Sequence, residues 1–170
     1  MDQLNQLPWL KINDFILEIE KAWEPKEFCT QVMNKFHALI PYDKARTYML
    51  DQNEQLCGEI LLGVEKKWSE IYLSYYSKVE NSRYSIFTRR NYPNPKIHGS
   101  VTDWTHQQLS EFITSYIKPQ GIKYSLGFVL YGDNFGKCIF CFDRTTKTGF
   151  QENELEIIGV LYPHMQNLLK

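Results

Sequence analysis

The side chains best suited to chemistry in this chain are aromatic and fall close together. Trp68, Tyr72 and Tyr76 recur one helical turn apart, with Tyr48, Tyr84 and Trp104 in neighbouring segments. Such a set could line a ligand cavity, because each ring gives apolar contact area while an N–H or O–H orients a polar group. The same spacing also describes an ordinary aromatic core. Buried tyrosine hydroxyls need partners, which is the argument for a pocket. Phe128 and Phe140, on predicted strands, would form its floor. Asp103, beside Trp104, either hydrogen-bonds a ligand amine or amide or caps the turn that follows. The ligand-binding candidates are therefore Tyr48, Trp68, Tyr72, Tyr76, Tyr84, Asp103, Trp104, Phe128 and Phe140.

Other chemistry finds less support. Cys138-Ile139-Phe140-Cys141 has CxxC spacing, but three residues apart on a strand point to opposite faces, so two packed thiols are expected rather than a redox pair. His37, His98, His106 and His164 lack zinc-ligand spacing, so no metal and no cofactor are expected. No GxGxxG, P-loop or GxSxG occurs, no carboxylate pair stands out, and no catalytic residue is assigned. A net charge of -1 disfavours direct binding of phosphate backbones, so DNA would be reached only through another domain. The scattered cysteines, the lack of a signal-peptide pattern and the absence of a long apolar run predict a cytoplasmic protein with no membrane segment.

These residues need a scaffold, and 170 residues at 43% hydrophobic suffice for one domain. Ile12, Phe15, Ile16 and Ile19 form one helical stripe, with Asn13 as a possible N-cap. Pro25 opens a second helix that Pro41 stops. Lys44 to Leu50 and Gln55 to Leu62 read as a hairpin around Asp51-Gln52-Asn53-Glu54. Val64, Trp68, Ile71, Tyr72 and Tyr75 give a third helix, and Glu80 to His98 a long loop that would line or cover a site. Leu109, Phe112, Ile113 and Tyr116 predict a fourth helix, ended by Pro119 and Gly121. Strands at Ile122 to Tyr131 and Lys137 to Asp143 follow, placing Leu126, Phe128 and Leu130 on one face with Cys138, Phe140 and Phe142. A helix from about Glu152 carries Pro163, which predicts a kink at Gly159 to Pro163. It stays apolar to Lys170, which suggests a longer natural chain or a helical partner.

The expected class is α+β, an antiparallel sheet flanked by helices in the PAS or GAF manner, with the first and last helices packed together. The order of Asp103-Trp104, Phe112, Pro119-Gln120-Gly121, Leu126-Gly127, Phe150 with Glu154, and Leu161-Tyr162-Pro163-His164 resembles the N-terminal GAF-type sensory domain of LuxR-type bacterial transcription regulators. The resemblance runs from roughly Trp68 to Leu169. Trp68, Tyr72 and Tyr76 are also similar to the W-x3-Y cluster of quorum-sensing autoinducer-binding domains, although Glu80-Asn81-Ser82 stands where that family has Asp-Pro. The resemblance implies a single sensory domain over 1–170, a homodimer, a small-molecule effector, and a helix-turn-helix domain beginning after Lys170. Occupancy would then shift the terminal helices. A GAF-type thiol oxidoreductase of the methionine-sulfoxide-reductase kind, and a GAF-like domain that only dimerises, are the alternatives.

Overall fold

The computed structural model describes residues 7–22, 24–78, 94, 97–133 and 136–169. Five antiparallel strands, β1 (Lys44–Leu50), β2 (Leu56–Leu62), β3 (Gly99–Asp103), β4 (Tyr124–Gly132) and β5 (Gly136–Arg144), form one sheet in the order β2-β1-β5-β4-β3. The strand order could not be read from the sequence. It puts β5 at the centre, between β1 and β4.

Alternation along these strands sorts side chains onto two faces. Leu126, Phe128, Leu130, Cys138, Phe140 and Phe142 share the main core with α1 (Trp9–Ile19), α2 (Pro25–Leu39) and α4 (Glu152–Leu169). Phe36 of α2, fully buried, stacks on Phe142 at 4.2 Å, and α1 packs against α4 as expected. The opposite face carries Arg46, Tyr48, Ser125, Cys141 and Asp143, and is covered by α3 (Lys66–Ser74) and by helical turns that follow β3.

Three local expectations are corrected. Asn13 lies inside α1, which begins four residues earlier because Pro8 precedes its first turn with φ already near a helical value. On α3 the buried positions are Ser69 and Tyr72, with Trp68 half-buried, while Ile71 and Tyr75 are 40% and 49% exposed. Ser69 is drawn inward because its hydroxyl joins the Tyr48 hydroxyl, at 2.9 Å, to the Glu59 carboxylate. The fourth helix is not α-helical. After one turn at Glu111 and Phe112 it widens into a π-helical turn, Ile113–Ile117, and tightens into a 3₁₀ turn, Lys118–Gln120. Gly121 closes it at φ +73°, where a side chain would be strained. Leu109 falls outside this cap and is 66% exposed.

Gly99 is where the sheet demands glycine, since a Cβ there would meet the Gly127 carbonyl oxygen at 1.7 Å. At the start of α4, the Glu154 carboxylate accepts from the Gln151 N–H at 2.8 Å, which is one half of a capping box. The helix continues through Pro163. On either side of that proline, the Tyr162 hydroxyl donates to the Val129 carbonyl at 2.7 Å and Gln166 bonds both backbone groups of Tyr131. Gln166→Ala removes two partly exposed hydrogen bonds and is expected to cost about 1 kcal/mol, read from the midpoint of chemical unfolding.

Candidate functional site

Two rungs of the sheet make the floor of a cavity. In one, Ser100, Gly127, Cys141 and Arg46 stand side by side across β3, β4, β5 and β1; in the next, Thr102, Ser125, Asp143 and Lys44 do the same. Gly127, without a side chain at the middle of the first rung, leaves room above the sheet. Tyr72 of α3, Trp104 of the 3₁₀ turn after β3, and Phe112 and Ile117 of the cap supply the walls. The cavity is partly open and has a volume of about 50 Å³. Drug-sized ligands need roughly 300–1000 Å³, so this space fits a compact polar group.

The floor is charged and almost dry. Arg46 is 6% exposed and Asp143 1%, and the nearest guanidinium nitrogen stands 3.7 Å from Asp143 Oδ2. The Arg46 guanidinium lies over the Tyr72 and Tyr116 rings, 5.4 and 5.6 Å from their centroids, and donates to the Tyr116 hydroxyl. On the other side, Trp104 Nε1–H donates to Ser125 Oγ at 2.7 Å, and that hydroxyl donates to Asp143 Oδ1 at 2.5 Å. Arg46 Nε and Asp143 Oδ2 remain without a hydrogen-bond partner. Buried polar atoms are rarely left so, because each carries its full desolvation cost.

Burial pushes the Asp143 carboxyl above its ordinary range, against the pull of Arg46 and Ser125. Burial likewise pushes the Cys141 thiol up to about 12, and raises the Tyr72 and Tyr116 hydroxyls. Cys141 on this floor is therefore a protonated, unreactive thiol at neutral pH. Its CxxC neighbour Cys138 faces the opposite core, as strand alternation requires, and Cys57 is exposed on the edge strand. Among the described residues no group of His, Cys, Asp and Glu could hold a metal ion, and no helix is long and apolar enough to cross a membrane.

The aromatic candidates are brought together only in part. Tyr72 and Trp104 line the cavity. Tyr48 and Tyr76 lie in the same aromatic cluster, with Trp68 packed edge-on against Tyr116 at 5.9 Å. Phe128 and Phe140 do not form the floor: they stack at 5.1 Å on the other face of the sheet, beneath the terminal helices. Residues on one strand two apart share a face, and Ser125 and Gly127, not Phe128, share it with the cavity. Tyr84 lies outside the described residues, as does most of the predicted covering loop.

Asp103 sits at the rim as a cap, not in the cavity. Its carboxylate accepts from the Thr105 N–H at 2.9 Å and pairs with His106 at 2.7 Å. The Thr105 hydroxyl and His106 hold its carboxyl below the usual range. Asp103→Ala is expected to cost about 1 kcal/mol. A depressed folded pKa gives stability above the unfolded value that is lost as pH falls through the folded one, so this cost should shrink on acidification, as thermal melts across pH would show.

Arg46, Ser125 and Asp143 were missed by sequence reasoning. Their signal is parity: Arg46 shares a face with Tyr48, and Asp143 with Cys141 and Ile139, on strands buried on both sides. A charge at such a position has to find a partner or a ligand.

The sequence matches no family model and no curated protein. Solved structures do match. An N-acylhomoserine-lactone-dependent LuxR-family transcription factor from Burkholderia cenocepacia superposes with a TM-score of 0.64 at 9% identity, over 94% of this chain and 92% of that one. The GAF domain of a two-component sensor histidine kinase from Bacillus halodurans gives 0.51 at 14% identity, over 87% and 95%. The fold is GAF-like. A cyanobacteriochrome GAF domain, TePixJ, agrees, with 0.56 at 13% identity over 89% and 92%. At these identities the likeness establishes the α+β architecture of the GAF-like domain and leaves the site to be argued from its own residues.

Proposed function

We propose that this GAF-like chain is a ligand-sensing domain that takes up a small molecule between the sheet and the α3–cap layer. One observation carries the reading: a cavity whose floor holds a buried Arg46 and Asp143, each with a polar atom left unpaired. A domain that only dimerised would gain by filling that space with apolar side chains. Catalysis by thiols has less support, because Cys138 and Cys141 face opposite sides of β5 and Cys141 is held protonated.

The downstream part of the reading is a transcription regulator of LuxR type, active as a cytoplasmic homodimer, with DNA bound through a domain after Lys170. Three features support it. The B. cenocepacia structure is a transcription factor of that family. Leu10 and Leu17 leave an exposed apolar strip on α1, and α1 packs on α4. Gly159 and Pro163 supply a place for α4 to bend.

A thermal-shift screen of a metabolite library against the wild type and Gly127→Val tests the binding site. Gly127 has a strand conformation that valine adopts, and its side chain would enter the cavity. A ligand at a hundred times its Kd adds about 2.7 kcal/mol of stability, so a rise in Tm for the wild type alone is expected. No rise with any compound, or equal rises in both proteins, would contradict the site.

A further inference from the structure

We infer that the ligand of this cavity is a compact, net-neutral molecule presenting a hydrogen-bond acceptor beside a donor, the acceptor meeting Arg46 Nε–H and the donor meeting Asp143 Oδ2. This assignment rests on the ligand-sensing reading above and specifies its chemistry. Arg46 contributes one positive and Asp143 one negative charge, both buried, and they stand 3.7 Å apart, longer than the roughly 2.7–2.9 Å of a tight charge-assisted bond. That pair is thus balanced in itself, and the Lys44 ammonium on the Asp143 rung donates to the Gln120 carbonyl at 2.9 Å. An anion or a cation alone would bring a net charge into a low-dielectric space, where the cost of desolvation is largest.

The hydrogen-bond inventory narrows it further. Tyr116 accepts from Arg46, and Trp104 donates to Ser125, which donates to Asp143 Oδ1. The two fully buried side-chain atoms left without a partner are a donor, Arg46 Nε–H, and an acceptor, Asp143 Oδ2. A molecule that satisfies both removes two desolvation costs at once and inserts into a loosely made ion pair. About 50 Å³ admits a head group of a few heavy atoms. Two kinds of molecule carry such a head: a primary carboxamide, with its C=O and N–H₂, and an α-amino acid, with its carboxylate and ammonium.

The test uses proton–nitrogen correlation NMR on isotope-labelled chain, reading the Arg46 Nε–H and the Trp104 Nε1–H during titration with propionamide, L-alanine, propionate and propylammonium. Propionamide or L-alanine should shift the Arg46 signal saturably and bind about tenfold or more tightly than propionate and propylammonium. Which of the two does so identifies the source of the head group. Arg46→Met with Asp143→Leu leaves no unpaired charge and so keeps the fold; it should erase the preference, read at Trp104. Propionate or propylammonium binding as tightly, a preference that survives in that double variant, or an Arg46 signal that no probe moves would each overturn the assignment. Should library compounds still raise the Tm of the wild type and not of Gly127→Val, only the donor–acceptor assignment falls. Silence in both experiments removes the sensing reading as well.

Discussion

Arg46→Met is expected to destabilise the chain by about 3–5 kcal/mol, because it leaves the Asp143 carboxylate buried without its countercharge. Methionine matches the length of the stem, so the packing against Tyr72 and Tyr116 is largely kept and the loss reports charge. Asp143→Leu should cost a similar amount by stranding the guanidinium. The double variant should recover most of both losses, since replacing a buried pair by apolar groups of similar volume is neutral or stabilising by about 1–4 kcal/mol. Chemical unfolding of the four proteins of this cycle measures the coupling directly.

The pH dependence of the same cycle has a definite sign. Burial raises the Asp143 carboxyl in the folded state, so between its unfolded and folded values the native protein binds more protons than the unfolded chain. Stability from this group therefore falls as pH rises through that window, and the penalty is complete above it. Removing Arg46 takes away the interaction that lowers this pKa, which extends the window upward. Arg46→Met should accordingly regain stability on acidification over a range where the double variant is flat.

A second large loss is expected at Arg144, the next residue along β5, whose side chain leaves the opposite side of the sheet. Arg144 is 7% exposed. It donates to both carboxylate oxygens of Glu154, to the Pro41 carbonyl at 2.7 Å and to the Gly149 carbonyl at 2.8 Å. Its guanidinium also lies 4.2 Å from the Phe150 ring centroid. One side chain thereby ties the end of the central strand to the first turn of α4 and to the chain leaving α2. Arg144→Met strands Glu154 and frees two carbonyls, at a cost of about 3–5 kcal/mol. Amide hydrogen exchange should speed up first over Gln151 to Glu156, where Glu154 caps the helix, before it does so in the sheet. Uniform loss of protection across the whole domain would contradict a local role for this tie.

Asp143 and Arg144 place the cavity and the α4 anchor on consecutive residues of one strand. Alternation sends them to opposite faces, Asp143 to the cavity and Arg144 to the first turn of α4.

How much of this was legible in sequence varies with the physics of each element. Pro25 marked the start of α2, and the Leu126-Phe128-Leu130 pattern marked β4 with its buried face, because both signals are local. The same alternation could not say which face would meet the terminal helices. That depends on strand order, and the choice put Phe128 and Phe140 on the wrong side of the sheet. The π-helical turn at Ile113–Ile117 carries Tyr116, which accepts from Arg46 and packs on Trp68, and it has no local spacing of its own. Tyr72 and Trp104 were found as cavity aromatics because their ring chemistry is visible in the residue type. Arg46 and Asp143 were not, since 97 positions of sequence separate a pair that neighbouring strands bring together.

Native mass spectrometry of the wild type and of Gly127→Val, purified side by side, tests the central claim that the cavity over Arg46 and Asp143 holds a small molecule. The account predicts a non-protein mass retained by the wild type and missing from the variant, with equal subunit number in the two. Bare polypeptide in both, or the same retained mass in both, would contradict it.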